Sequence, residues 1–223
     1  IDMLGTNSDA LAAFRFANAA MREQRLRTET VRVIREGDER AFEQIREDLE
    51  EDPRNASWWP FQLAFILLNL PALVDPTHTD RAGSAATVDR LFFPTGGGKT
   101  EAYLGLVAAT VALRRRQRDL GGVDGGEGVA VLMRYTLRLL TAQQFERAAA
   151  LVCATEVIRR DDEEQWGEVP FRLGLWVGQQ LTPNRSEDAR KAILDLRARR
   201  SPRNSPVQLS ICPWCGTDID PAA

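Results

Sequence analysis

The sequence predicts an α/β fold, a parallel sheet flanked by helices and preceded by a helical N-terminal segment. Three observations carry this expectation. Short apolar runs alternate with helix-period segments from Val88 onward, which is the β-α-β-α-β pattern of a doubly wound sheet. A glycine-rich turn joins the first of these runs to the first of these helices. Residues 9 to 50 carry apolar side chains at helical spacing among many charges.

In order, Leu11, Phe14, Phe16, Ala20 and Met21, then Val31, Ile34, Phe42, Ile45 and Leu49, mark two amphipathic helices broken near Gly37. They read as scaffold for a neighbouring domain. Trp58 to Leu70 is an apolar helix that Pro71 and Pro76 are expected to close, and Thr77 to Ala86 is a polar loop. A strand from Val88 to Phe93 follows, then a helix from Lys99 to about Arg116, whose "RRRQR" ending complements the helix dipole. Beyond the loop "GGVDGGEG" come a strand at 129–133, a helix from about Leu137 to Arg159 and a strand at 171–177. Ser186 opens a last helix through residue 200, with acids in its first turn and arginines in its last. The expected domains are 1–56, 57–211 and 212–223.

At 223 residues the chain can bury the core of one domain, or of one and a half. A net charge of −3 excludes a uniformly basic nucleic-acid binder, so any such contact needs a local groove. Three cysteines make no disulfide framework and suggest a reducing compartment. The longest apolar run, "FQLAFILLNLPALV", is broken by Gln62, Asn69 and Pro71, so a soluble, cytoplasmic protein with no membrane partner is expected. The first residue is Ile1 and no leader pattern follows it, as in a fragment or trimmed chain.

The stretch "FFPTGGGKTEAYLGL", Phe92 to Leu106, carries the chemistry. Glycines that end a strand and open a helix turn backbone N–H groups toward one point, where the helix dipole also favours an anion. Lys99 is then placed to reach the terminal phosphates of a nucleoside triphosphate, and the Thr100 hydroxyl to ligate magnesium. Thr95, Gly96, Gly97 and Gly98 form the cradle, although Phe93 stands where the strict pattern has glycine. Only two of the 29 basic residues are lysines, Lys99 and Lys191, so general lysine usage does not explain the one after the glycines.

Hydrolysis also needs carboxylates for magnesium and for the attacking water, usually at the end of an apolar strand. None follows the cradle, since "RRDDEEQW" is polar and reads as a solvated loop. The chain alone is therefore not expected to be a complete NTPase. Near its end "CPWCG" has the tight C-x-x-C turn of a zinc knuckle, with Cys212 and Cys215 as half of a four-ligand site. Cys153 lies mid-helix and reads as a small core residue, and His78 sits in a polar loop with no partner motif.

With these residues in view the chain resembles the superfamily-2 helicases of bacterial DISARM anti-phage systems. The resemblance is carried by "FRFANAAM", "PFQLAFILLNLPALVDPTH", "FPTGGGKTEAYLGL", "GVAVLMRYTLRLLTAQQFERAAAL", "FRLGLWVG", "TPNR" and "CPWCG", from about residue 11 to 220. It implies a RecA-like P-loop parallel sheet, of which this chain is the front part, with the start of a zinc-ribbon-like insertion at its C-terminal end. It implies ATP and Mg²⁺ at Lys99 and Thr100, Zn²⁺ at the cysteine pair, and Gln62 at the adenine edge, a place where a polar residue of a packed helix fits equally. The partners it implies are DNA with a single-stranded region, held by Arg134, Thr136, Arg138, Gln143 and Gly178, and other defence subunits. The alternative from another class is a nucleotide-gated interaction module that does not move DNA.

Overall fold

Alanine at positions 10, 13, 17 and 20 recurs at helical spacing along one stripe, and all four are fully buried. A stripe of methyl groups lets neighbouring helices come close, and the computed structural model is built around it. The structure describes residues 2–94, 96–119, 122, 124–126, 128–135 and 138–220, and of residues 138–142 the backbone only.

Among the described residues there are eight α-helices: α1 (Asp2–Thr6), α2 (Ser8–Arg35), α3 (Phe42–Glu51), α4 (Pro60–Val74), α5 (Lys99–Gln117), α6 (Arg138–Asp161), α7 (Glu163–Trp166) and α8 (Ser186–Arg197). Asn7 caps α2, its side chain accepting from the Ala10 N–H at 2.9 Å. The alanine stripe of α2 packs with Leu104, Ala108, Ala109, Ala112 and Leu113 of α5, Leu70 and Val74 of α4, and Ala148, Leu151 and Ala154 of α6. Trp166 of α7 completes the cluster, its ring 4.5 Å from that of Phe16.

The expected parallel sheet is not present. The described residues contain no strand, only isolated bridges at Asp119–Asp124 and Ile211–Asp218. Segments 88–93, 129–133 and 171–177 run without helix or ladder, and several of their apolar side chains face solvent, Val88 being 95% and Trp176 99% exposed. The physical reason is that a strand's backbone bonds come from a partner segment, which local apolarity cannot supply. Phe171 alone of the third run joins the core, under the Arg115 guanidinium 4.8 Å from its ring centroid.

Three local expectations also change. Pro71 lies inside α4, which runs a turn further to Val74 and is closed by the Asp75 N–H donating to the Pro71 carbonyl. A proline so near the C-terminal end removes one intrahelical bond and leaves the rest in place. The run Pro53–Val74 does reach the length and apolarity of a membrane span, 22 residues containing an 18-residue window of mean hydropathy 1.3, although here α4 packs on α5 and buries Gln62, Ile66, Leu70 and Val74. And "RRDDEEQW" is helical rather than a loop, exposed at 160–164 but anchored at its two ends. Arg159 is 3% exposed, pairs with Glu156 at 2.7 Å and Glu163 at 2.9 Å, and donates to the Gly167 carbonyl, while Trp166 is buried.

Candidate nucleotide site at the glycine loop

Gly96 and Gly98 adopt φ of +83° and +79°, and Gly97 between them does not. Such an alternation turns successive N–H groups to one side and forms an anion-binding concavity, a conformation that side-chain-bearing residues resist. Gly98 caps α5, so the unpaired N–H groups of that helix's first turn open onto the same loop. The loop is tied down at both ends: the Gly97 N–H donates to the Pro94 carbonyl at 3.1 Å, and the Phe93 ring stacks on Phe61 of α4, centroids 3.8 Å apart.

Lys99 folds back over the loop, its Nζ donating to the Phe93 carbonyl at 2.5 Å. Thr100 is half-buried in the first turn of α5, and its hydroxyl makes no hydrogen bond among the described residues. Glu101 is held in an ion pair with Arg147 of α6. Thr95 lies outside the described residues.

Gln62, the residue expected at the adenine edge, is 2% exposed. Its Oε1 accepts from the Trp59 N–H at 2.8 Å and its Nε2 donates to the Gly98 carbonyl at 2.8 Å. It therefore bridges the start of α4 to the last glycine of the loop. A cavity of about 950 Å³ lies against these elements, and Gly96, Gly97, Gly98, Gln62, Trp59 and Arg25 are among its walls. That volume is at the upper end of ordinary ligand sites.

Of the residues expected to hold nucleic acid, three have described side chains or backbone turns and two do not. Arg134 and Gln143 are exposed, neither making a hydrogen bond or ion pair among the described residues, and Gly178 sits in an exposed turn that the Leu181 N–H closes. Thr136 lies outside the described residues, and Arg138 begins α6 with its side chain outside them.

Cys212 and Cys215 stand on a tight hairpin. The Cys212 N–H donates to Thr217, the Gly216 N–H to Cys212, and Gly216 takes φ +74° to make the turn. A hydrogen bond with the Thr217 hydroxyl at 3.2 Å, first among several causes, draws the Cys215 thiol below its usual pKa. Burial, with Cys212 and Cys215 nearby, pushes the Cys153 thiol up. Among the described residues no group of three or more His, Cys, Asp or Glu is placed to hold a metal, so two thiols do not make up a four-ligand zinc centre here.

Over an alignment of 218 positions that covers 95% of the chain, the sequence is 40% identical to DISARM protein DrmA of Bacillus paralicheniformis. The chain is a relative of part of DrmA. It spans 18% of the length of that protein. No family model matches the chain.

Inside the match to DrmA, sequence reasoning missed Arg25, Trp59, Phe61 and Arg147 as neighbours of the loop. Arg25 and Arg147 sit in helices rich in arginine, where nothing local marks the one that turns to a cavity. The apolar pair Phe61 and Phe93 did carry a signal, as the two aromatics flanking the ends of two adjoining elements, but pairing across 32 positions is a tertiary fact.

Proposed function

We propose that the chain is the nucleotide-binding portion of an ATP-driven helicase or translocase that acts on DNA in bacterial anti-phage defence. The observation that carries it is the loop of Gly96, Gly97 and Gly98 with Lys99 folded over it, in a stretch related to DrmA. Three glycines in alternating conformation, a lysine and a hydroxyl at the opening of a helix are the groups a triphosphate and its magnesium require. Bound magnesium would supply charge neutralisation between the phosphates, with Thr100 as its protein ligand. Lys99 would leave the Phe93 carbonyl for the phosphates, and Gln62 would hold the loop's last turn against α4 while this happens.

Anti-phage defence in the company of other DISARM subunits belongs to the same proposal and is supported by the similarity to DrmA; a cytoplasmic setting is part of the proposal as well. In this reading DNA is held by Arg134, Thr136, Arg138, Gln143 and Gly178.

The test of the nucleotide site is titration of the chain with magnesium ATP, wild type against Lys99→Ala. Micromolar binding lost by at least tenfold in Lys99→Ala is the expected result. Equal binding by the two would overturn the site. ATP hydrolysis by the longer protein with and without single-stranded DNA separates the motor from its rival: hydrolysis indifferent to DNA would favour a nucleotide-gated interaction module.

A further inference from the structure

Helix α2 and its neighbour α3 carry many arginines, and several of them are spoken for. Arg22 pairs with Glu50, Arg27 with Glu23 at 3.5 Å, Arg32 with Glu29 at 2.8 Å, and Arg46 with Glu23 at 2.8 Å. Arg25 differs from these. It is half-buried and makes no ion pair among the described residues, and its Nε, like those of Arg27 and Arg46, is buried with no hydrogen-bond partner. It also lines the cavity that Gly96, Gly97 and Gly98 line.

A guanidinium partly withdrawn from water with its Nε–H unmatched is unfavourable, by about 1–3 kcal/mol for a buried donor left unsatisfied, and gains from an acceptor on its Nη groups. The acid nearest the loop is not that acceptor, since Glu101 is taken by Arg147. Arg22 and Arg54, also on the cavity wall, each hold a carboxylate, Glu50 and Asp52. Arg25 is thus the wall arginine with no carboxylate partner among the described residues, and a planar fork of N–H groups suits a phosphate better than it suits any neutral group.

We propose that Arg25 is a phosphate-binding residue of the nucleotide site, a cation supplied by the N-terminal helix rather than by the glycine-loop motif. This rests on reading the glycine loop as a nucleotide site. It makes α2 part of the site instead of remote scaffold, so that nucleotide ties α2 to α5 across the cavity.

The experiment is titration of the 223-residue chain with magnesium ATP, tripolyphosphate and adenosine, comparing wild type, Arg25→Gln, Arg25→Lys and Lys99→Ala, with the melting curve of each recorded without ligand. The expected result is about tenfold weaker binding of ATP and tripolyphosphate by Arg25→Gln, partial recovery in Arg25→Lys, and unchanged adenosine binding. A melting temperature kept or raised in Arg25→Gln excludes a folding defect, because that variant removes an unsatisfied charge. If Arg25→Gln binds tripolyphosphate like wild type while Lys99→Ala does not, the Arg25 proposal falls and the nucleotide site stands. Equal weakening of adenosine and tripolyphosphate also overturns it. If wild type binds neither ATP nor tripolyphosphate, both fall together.

Discussion

Glu156 shows how a single carboxylate can be asked to hold several things at once. It pairs with Arg159 and Arg160, and its Oε2 accepts from the Phe171 N–H at 3.0 Å. The Arg159 hydrogen bond is the main reason its pKa falls to about 2. Because the folded pKa is depressed, the stability it contributes is complete above the unfolded value of about 4.3 and drains away as pH falls from there toward 2. Glu156→Gln should therefore lose about 3 kcal/mol at pH 7, since it strands the buried Arg159 with Glu163 as its remaining carboxylate, and should flatten the acid limb of the stability curve. Urea melts of both proteins from pH 7 to pH 2 measure this, and parallel acid limbs would refute it. At the glycine loop, Gly98→Ala is strained by φ +79° and places a methyl 2.7 Å from Gln62 Nε2. Nucleotide binding should drop by tenfold or more while the melting temperature moves by only a few degrees, the loop lying outside the helical core. The turn at Gly98 was legible in the sequence because three glycines precede a helix, whereas the Glu156–Arg159 pair was not, Arg159 heading a polar run that reads as surface and Glu156 standing in a helix where nothing local marks its partner.

At the scale of elements the helices were legible and the contacts between them were not. The α5 start at Lys99 and the break between α2 and α3 follow from glycine position and apolar spacing, which are local. The closeness of α4 to α5 rests on a residue that spacing does not flag. A Cβ on Gly105 would stand 2.6 Å from Trp58 Cη2 and 2.7 Å from Ile66 Cδ1, so glycine lets these two side chains lie on the backbone of α5. In an isolated helix Gly105→Ala would add about 1 kcal/mol of stability by propensity. Here crowding opposes that by about 1–3 kcal/mol, and the Trp58 indole has its Nε1–H fixed on Asn18 Oδ1 at 2.7 Å, which limits its retreat. The expected sum is a loss of about 1 kcal/mol together with weaker nucleotide binding, because Trp58 is also a wall of the cavity. A more stable Gly105→Ala in a urea melt would mean that Trp58 swings aside freely.

For the whole molecule the decisive feature is a helical core bearing extended apolar segments that nothing covers among the described residues. Val88, Phe92, Val129, Leu132 and Trp176 are each more than three-quarters exposed, and the segments that carry them have no ladder partner. Sequence reasoning read these runs correctly as strand-like in composition and wrongly as a sheet, because composition records a preference for a pleated, half-buried surface and says nothing about which segment lies alongside. The core does not need them: its apolar contacts come from α2, α4, α5, α6 and Trp166, with Phe171 and Met133 packed at its edge. Two consequences follow from separating core from exposed runs. Substituting Leu132→Arg and Trp176→Arg together should leave the melting temperature within a few degrees, since neither side chain contributes burial. The same double variant should reduce self-association, because exposed apolar segments with unpaired backbone groups are templates for pairing between chains. Sedimentation velocity at rising protein concentration reads the second effect and a thermal melt reads the first. A large loss of melting temperature would show that these runs are packed in solution after all, whereas unchanged self-association with an unchanged melt would place the sticky surface elsewhere, the outer face of α4 with Leu68 and Trp59 being the next to test.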